Sequence, residues 1–294
     1  MLPLLPEPPN PEPGPSMTEL LAALLLGLIE GITEFLPISS TGHLLIAEHW
    51  LGARSDLFNI AIQAGAILAV VLIYRQRLWQ LAHGFHPWRR NADRTGAHHP
   101  HDYALKLTAA FAVTAVGGLL VKALGWTLPE TVAPIAWALI LGGIWMLAAE
   151  HFAARHAARV GEHSRVTWTV AVLVGVAQVI AGVFPGTSRS AAAIFVALLF
   201  GTTNRAAATE FAFLVGIPTM FAATAYELLA LHRHGGIGGE NWSSLSVAFV
   251  ASAVTAFLAV KWLLRYIQSH RFTVFAIYRV VLGVVLLLLV PAGG

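Results

Sequence analysis

The sequence predicts an all-α polytopic membrane protein, and two features lead to this fold class. The 294 residues are 57% hydrophobic and only 11% charged. A soluble domain carries about a quarter of its residues as Asp, Glu, Lys and Arg, so this chain cannot cover a water-facing surface of its size. Apolar stretches of about 20 residues, the length that crosses a bilayer as a helix, also recur along the chain.

The first segment, residues 1–16, is rich in proline. Proline lacks the amide hydrogen that a helix interior needs, so we expect a disordered extension here. A secretory signal peptide would begin with a basic region, but no Lys or Arg precedes Arg54. The membrane-embedded part is therefore expected to begin near Met17.

Two apolar stretches, Leu20–Leu51 and Val166–Phe200, are interrupted midway by Pro, Gly, Ser and Thr. A broken helix at membrane depth is tolerated only where its loose backbone is buried in protein or lines a cavity. We therefore predict that both stretches fold as re-entrant helical hairpins. Six further apolar runs are predicted to span the membrane: Phe58–Tyr74, Ala104–Leu124, Thr131–Ala149, Ala206–Leu231, Ser243–Leu264 and Phe272–Val290.

The two interrupted stretches resemble one another. Residues 27–43 lie over residues 175–191 without a gap, and each hairpin is followed by three predicted spans. The second copy must then start on the opposite side of the membrane, which predicts an inverted-topology repeat of residues 17–150 and 151–294. Broken helices at matching places in two halves also indicate the functional site. The alignment pairs Gly27 with Gly175, Glu30 with Gln178, Pro37 with Pro185, and Ser40 with Ser188.

The basic residues predict the orientation, because cytoplasmic loops are enriched in Lys and Arg. One side carries only Arg54, Lys122 and Arg233, so we expect that side, with both termini and the mouth of the first hairpin, to face outwards. The basic residues form no patch with interleaved aromatics, so no nucleic-acid partner is expected. The predicted cytoplasmic set is Arg75, Arg77, Arg89, Arg90, Arg94, Arg155, Arg159, Arg165, Arg205, Arg265 and Arg271.

Glu30 and Glu34 lie four residues apart, so on a helix they share one face. Two carboxylates at that distance repel unless a proton or a cation lies between them, and hard oxygen ligands suit Mg²⁺ or Ca²⁺. The pair is therefore a candidate divalent-cation site. The alternative is that these glutamates cap helix ends or line a hydrated channel.

Ser39, Ser40, Thr41 and His43 follow the proline of the first hairpin. A helix N-terminus binds anions, and a serine near a histidine can support nucleophilic or general-base chemistry. We predict that Ser40 and His43 are catalytic and that Ser39 and Thr41 contact the substrate. The alternative, an ordinary N-cap, can coexist with phosphate contact.

Thr187, Ser188, Arg189 and Ser190 are the counterpart in the second hairpin. A guanidinium presents donors that match phosphate oxygens, often bidentately. We predict that Arg189 binds phosphate and that its three hydroxyl neighbours contact the substrate. The alternative is a structural ion pair between Arg189 and the glutamates of the first hairpin.

Other polar residues are weaker candidates. His98, His99 and His101 belong to a hydrophilic segment and lack the spacing of a metal site, so we expect a solvated loop. The absence of cysteine excludes a disulfide framework or a Cys-based metal site. Four residues are polar within apolar stretches: Glu210, Gln178, Gln63 and Arg279. For Gln63 and Arg279 the expected role is hydrogen bonding between helices.

The segments EGITEFLPISSTGH and PGTSRS closely resemble the two signature segments of the undecaprenyl-diphosphatase family, the bacitracin-resistance type of polyprenyl diphosphate phosphatase. The resemblance runs from about Met17 to the C-terminus and includes FNIAIQAGAILAV, ATEFAFLVGIPTM and FAIYR. Two departures are Ala191, where Gly is expected, and Asn59, where Glu is often seen. Neither removes a proposed catalytic group.

The resemblance implies hydrolysis of undecaprenyl diphosphate to the monophosphate and inorganic phosphate, which recycles the lipid carrier for peptidoglycan synthesis. It further implies a bacterial inner membrane, a divalent cation, an outward-facing site and a homodimer. Carried onto this sequence, the expected site residues are Glu30, Glu34, Ser40, His43, Ser188 and Arg189.

In the resulting hypothesis, Arg189 holds the phosphate charge and the two glutamates bind the cation. Ser40 attacks phosphorus or orients a water, and His43 or a glutamate handles the proton. The hypothesis requires Glu34 and Arg189 to meet around one pyrophosphate. The alternatives are a polyprenyl-phosphate flippase, which inverted repeats also suit, and a non-catalytic scaffold. A flippase would have little use for a metal-binding pair beside Ser40 and His43.

Overall fold

The computed structural model describes residues 16–84, 100–126, 131–233 and 240–289. Regular structure in these ranges is entirely helical, which confirms the all-α fold class. The helices of this part of the chain are α1 (Met17–Thr33), α2 (Ser40–Leu51), α3 (Asp56–Gly84), α4 (Pro100–Ala123), α5 (Val132–Val160), α6 (Trp168–Val183), α7 (Arg189–Phe200), α8 (Arg205–Arg233), α9 (Trp242–Ser269) and α10 (Thr273–Leu289).

Both interrupted stretches form pairs of short packed helices, α1 with α2 and α6 with α7. The turn of the first pair is buried, and Phe35, Leu36 and Ile38 lie in the main apolar core. Helix α1 begins with a capping box between Ser16 and Glu19, and α6 begins with a Thr167 cap. The loose backbone of the first turn is therefore enclosed by protein, as a helix break at membrane depth requires.

Five helices are long and apolar enough to cross a membrane, namely α3, α4, α5, α8 and α9. The sixth predicted span corresponds to α10, which is described over 17 residues, while Val290 lies outside the described residues. The chain is thus a multi-pass membrane protein. Apolar side chains such as Leu119 (61% exposed) and Leu258 (61% exposed) cover its outer faces, which suits contact with lipid.

Several helices extend further than their apolar runs predicted. Helix α3 continues ten residues beyond Tyr74 to Gly84, and α5 continues from Ala149 to Val160. These extensions contain Ala, Arg, Gln and Leu, which favour helix even outside the membrane. Of the predicted cytoplasmic arginines, Arg89, Arg90 and Arg94 lie outside the described residues.

The helices of the two halves pack against one another in a reciprocal pattern. Helix α1 lies against α9, and α6 lies against α4, while α5 packs on α10 and α3 on α8. Each of these pairs joins a helix of one half to a helix of the other. Helix α5 runs through the predicted boundary between residues 150 and 151 and ends at Val160. The aligned glycines Gly27 and Gly175 lie at the two reciprocal contacts, where an added Cβ would clash with the backbone of Ala248 or Ala110. The opposite orientation of the halves in the membrane stays a prediction.

Candidate active site

The second helix of each hairpin begins in the same unusual way. Its N-cap is a serine with a positive φ, 75° at Ser39 and 67° at Ser188. Each serine side chain accepts a hydrogen bond from the amide three residues on, from Gly42 at 3.5 Å and from Ala191 at 3.3 Å. Positive φ is uncommon outside glycine, so the two turns share a backbone geometry that composition alone does not reveal.

These caps correct the alignment of the two hairpins. The gap-free pairing of Ser40 with Ser188 is wrong by one residue, because the structural counterpart of Ser188 is Ser39. Ser188 lies 13 residues after Gly175, whereas Ser39 lies 12 residues after Gly27, so the second hairpin has one additional residue before its cap. Ser40 and Arg189 are therefore equivalent, since each is the first residue of its helix.

Glu34 joins these two equivalent residues. Its Oε2 accepts a hydrogen bond from the Ser40 hydroxyl, and its Oε1 lies 3.2 Å from an amino nitrogen of Arg189. The Glu34 side chain is only 4% exposed, whereas that of Arg189 is 31% exposed. Glu34 and Arg189 thus meet as the enzyme hypothesis requires. The alternative prediction of an ion pair holds as well.

Glu30 lies one helical turn before Glu34. It is 1% exposed and interacts electrostatically with both Glu34 and Arg189. Its Oε2 atom is buried without a hydrogen-bond partner. No group of three or more acidic or histidine side chains poised for a metal occurs in the described ranges. A cation here would therefore draw its remaining ligands from other oxygens, such as those of hydroxyls, carbonyls, substrate or water.

A cavity of about 730 Å³ opens beside these residues. Its volume falls within the roughly 300–1,000 Å³ typical of small-molecule sites. Glu30, Ser40 and Thr41 line it, and Pro185 of the second hairpin borders it. Glu34, Arg189 and Ser190 line a second, smaller space of about 20 Å³. The large cavity is therefore bordered by Ser40 and by Glu30, the residue with the buried, unpartnered carboxylate oxygen.

The cavity has further polar lining to which the sequence pattern assigned no role in the site. These residues come from α2, α3, α4 and α8, so no single segment carries a recognisable pattern. Their only signal was the occurrence of charged or polar groups near the ends of apolar helices. They are Glu48, Asp56, Asn59, Lys122, Tyr226 and Glu227.

His43 is not joined to Ser40. Its Nδ1 lies 2.7 Å from the Ser39 carbonyl oxygen, and its Nε2 lies 2.7 Å from the Tyr278 hydroxyl. The hydrogen-bond partner of Ser40 is Glu34 instead. Of the two proton acceptors left open by the sequence, the geometry therefore favours the glutamate.

The remaining predicted substrate contacts have structural partners. The Ser190 hydroxyl donates to the Leu36 carbonyl at 3.1 Å and so ties the second hairpin to the turn of the first. It also lies 3.2 Å from the Ser188 hydroxyl. Thr187 offers its carbonyl to Arg279 at 2.9 Å. Thr41 alone of the predicted substrate-contact hydroxyls lines the large cavity.

The weaker candidates divide between the site and the rest of the fold. Glu210 pairs with Arg77 at 3.0 Å, away from the hairpins, and Gln63 lines the cavity. Gln178 is buried with both amide atoms unpartnered. Arg279 forms the predicted helix–helix hydrogen bond, to the Ala138 carbonyl of α5, and also donates to two backbone carbonyls of the second hairpin.

The predicted histidine loop is partly corrected. His101 and Asp102 belong to α4, which begins at Pro100. Proline is favoured in the first turn of a helix, so the helix starts earlier than the hydrophilic composition suggested. His98 and His99 lie outside the described residues.

Comparisons with known proteins agree over most of the chain. A family model described as bacitracin resistance protein BacA matches residues 23–285. A protein named undecaprenyl-diphosphatase from Stenotrophomonas maltophilia (strain R551-3) is 64% identical over 277 residues, which cover 94% of this chain and 100% of that relative. One with the same name from Xanthomonas campestris pv. campestris (strain 8004) is 60% identical over 276 residues, with 94% and 100% covered.

Proposed function

The chain belongs to the bacitracin resistance protein BacA family, and from this premise we propose that it is a phosphatase acting on a lipid diphosphate. It hydrolyses undecaprenyl diphosphate to undecaprenyl phosphate and inorganic phosphate, the activity that names its relatives. The carrier lipid so released would serve again in cell-wall synthesis.

A single arrangement carries the mechanism. Glu34 lies between the Ser40 hydroxyl and the Arg189 guanidinium, beside a cavity that reaches Ser40. A nucleophile, a proton acceptor and a phosphate-binding cation are thus in direct contact, which is the minimum set for covalent phosphoryl transfer.

In the first step, Ser40 Oγ attacks the terminal phosphorus of the diphosphate. The Oγ–P bond forms, the anhydride P–O bond breaks, and the hydroxyl proton passes to Glu34. Undecaprenyl phosphate leaves as an anion, so no acid is needed to protonate a poor leaving group. In the second step a water attacks the phosphorus of the phosphoserine, and the Oγ–P bond breaks. The proton held by Glu34 returns to Ser40 Oγ, and the water protons leave with inorganic phosphate.

Arg189 would change partner as the substrate binds. Phosphoryl transfer depends mainly on positioning and on charge stabilisation. A guanidinium has five N–H donors, and one of them is directed at Glu34. The N-terminal amides of α2 and α7 add the partial positive charge that helix starts offer to anions.

The carboxylates of Glu30 and Glu34 fit a divalent cation. The unpartnered, buried Oε2 of Glu30 supports this assignment, because an oxygen without a partner is costly unless something pairs with it. Mg²⁺ or Ca²⁺ bound there would neutralise phosphate charge during transfer.

Two finer features belong to the same proposal. The site would face outwards across a bacterial inner membrane, as the distribution of basic residues predicts. The chain would also act as a homodimer, which light scattering of the detergent-purified protein can measure.

The decisive experiment measures phosphate release from undecaprenyl diphosphate by purified protein in detergent. We expect activity only with a divalent cation, and loss of activity in Glu34→Gln and Arg189→Ala. Lys261→Ala, which alters an exposed residue of α9, serves as the control. Binding without phosphate release by the natural chain would reject hydrolysis and leave transport.

A further inference from the structure

Two consecutive residues of α10, Tyr278 and Arg279, each hold one of the two hairpins. The Tyr278 hydroxyl lies 2.7 Å from Nε2 of His43 in α2, and the two rings stack with centroids 5.6 Å apart. Arg279 binds the turn between α6 and α7. A single stretch of α10 thus contacts both halves of the proposed site.

The contacts of Arg279 are directed at backbone. One amino nitrogen donates to the Thr187 carbonyl at 2.9 Å, and the other donates to the Gly186 carbonyl at 2.9 Å and the Ala138 carbonyl at 3.2 Å. The first also lies 3.6 Å from the sulfur of Met146. Arg279 is fully buried, and within the described part of the chain no carboxylate forms a salt bridge with it.

The fold makes room for this guanidinium. A Cβ at Gly142 of α5 would collide with the Arg279 amino group, so only glycine allows the side chain to lie there. Gly186 has a φ of +95°, and a Cβ on it would lie 2.8 Å from the Ile135 carbonyl. A buried cation without a counter-charge is costly. The buried Arg279 guanidinium, accommodated beside Gly142, therefore points to a role beyond packing.

The hydrogen bonds from Arg279 fix the orientation of the peptide groups in the turn between α6 and α7. In a trans peptide the carbonyl and the following amide point in opposite directions. Because the Thr187 carbonyl faces Arg279, the Ser188 amide points away from α10, and Arg189 follows immediately. The position of the first residue of α7 therefore depends on a side chain of α10.

We propose that Arg279 is a positioning residue for Arg189, and that Tyr278 acts in the same way on α2 through His43. Together they hold the two hairpins in register across Glu34. The inference rests on the proposed function for its activity readout. It predicts that loss of either contact lowers turnover without a matching loss of folding stability.

The test compares Arg279→Lys with Arg205→Lys. Lysine keeps the charge but cannot bridge two carbonyls as a guanidinium does. Arg205 is matched because it also binds a buried partner, Glu150, in another part of the fold. We expect Arg279→Lys to lower kcat by about 100-fold, as when a reacting group is displaced by about 1 Å. Arg205→Lys should lower the Tm and leave kcat near that of the natural chain.

A second measurement separates positioning from general damage. In an Arg189→Lys background, adding Arg279→Lys should lower kcat by far less than it does alone, because the residue through which it acts is already changed. Equal losses in both backgrounds would overturn the proposal.

If Arg279→Lys fails to fold, Tyr278→Phe decides instead. For Tyr278→Phe we expect kcat to fall about fivefold at unchanged KM, because one ordinary hydrogen bond contributes about 1 kcal/mol. An unchanged kcat would overturn the proposal.

Binding of inorganic pyrophosphate keeps this inference separate from the proposed function. Pyrophosphate should raise the Tm of the natural chain and raise that of Arg279→Lys much less. If the natural chain releases no phosphate, hydrolysis is rejected, and the pyrophosphate shift still decides the role of Arg279. Equal shifts in both proteins would contradict it.

Discussion

Ser40 and Arg189 donate to different oxygens of Glu34, so the three side chains behave as one linked group. Each partner limits where the others can lie. The carboxylate is nearly fully enclosed, and a buried charge that loses its partner is costly. We therefore expect substitutions here to affect both chemistry and local order.

Ser40→Ala tests the nucleophile. Removal of the hydroxyl should lower kcat at least about 100-fold, the scale at which a positioned proton-transfer group contributes. Phosphate release in detergent measures the loss, with Ser243→Ala on the exposed start of α9 as the control. A phosphorylated Ser40 should be trapped by acid quench in the natural chain, and near-normal turnover of Ser40→Ala would reject it as nucleophile.

Glu30→Gln tests the cation ligand. The amide keeps the shape of the side chain but is a much weaker ligand for a hard cation. The Mg²⁺ concentration that gives half-maximal phosphate release should rise at least about tenfold, since even outer partners of a metal site change affinity by 10- to 100-fold. An unchanged Mg²⁺ dependence would argue that this carboxylate has another role.

At the residue scale the sequence predicted the groups but not their connections. Glu30, Glu34, Ser40 and Arg189 were identified because charged and hydroxyl groups at membrane depth need a reason to be there. The partner of Ser40 could not be predicted, since His43 is closer in sequence than the carboxylate it contacts. Arg279 forms the predicted helix–helix hydrogen bond, to the Ala138 carbonyl of α5. Its contacts with the carbonyls of the second hairpin could not be predicted, because backbone partners leave no trace in a sequence.

The helices meet most closely where glycines remove the side chain from one surface. Gly27 of α1 and Gly175 of α6 occupy aligned positions and face α9 and α4 respectively. The two hairpins are thus each fixed to the other half of the chain. Their position and helical type followed from the sequence, but the one-residue difference between their turns did not. The lengths of the two turns depend on where α1 and α6 end, and helix ends follow local caps rather than the apolar pattern.

Gly27→Leu should therefore destabilise the fold. The larger side chain would force α1 away from Ala248, and overpacking typically costs about 1–3 kcal/mol. Thermal unfolding in detergent should show a lower Tm. Gly118→Leu is the matched control, because a Cβ at that position meets no neighbouring atom. An equal fall in both variants would show that helix glycines matter here for another reason.

At the scale of the whole molecule, the hydropathy pattern was the strongest predictor. Bulk lipid faces most of the surface, so long apolar runs had to be helices with satisfied backbones. The helix ends extend beyond the runs because good helix formers continue there. The orientation in the membrane follows from arginine counts and stays a prediction.

The chain contains no cysteine, so single-cysteine labelling can test that orientation directly. Trp50 lies in the last turn of α2 on the predicted outer side and is 81% exposed. Arg159 is exposed near the end of α5 on the predicted inner side. A membrane-impermeant maleimide should label Trp50→Cys in intact cells and Arg159→Cys only after lysis. The reverse pattern would invert the topology, and the natural chain provides the unlabelled control.

The equivalence of Ser40 and Arg189 has a consequence for how the protein can be assembled. The halves share a backbone template but place a hydroxyl on one side and a guanidinium on the other, with Glu30 opposite Gln178. At the proposed site, two copies of the first half would place four carboxylates and no counterpart of Arg189. Two copies of the second half would place no counterpart of Glu34 to accept a proton. A dimer of either half alone would thus lack part of the proposed site, which needs one copy of each half.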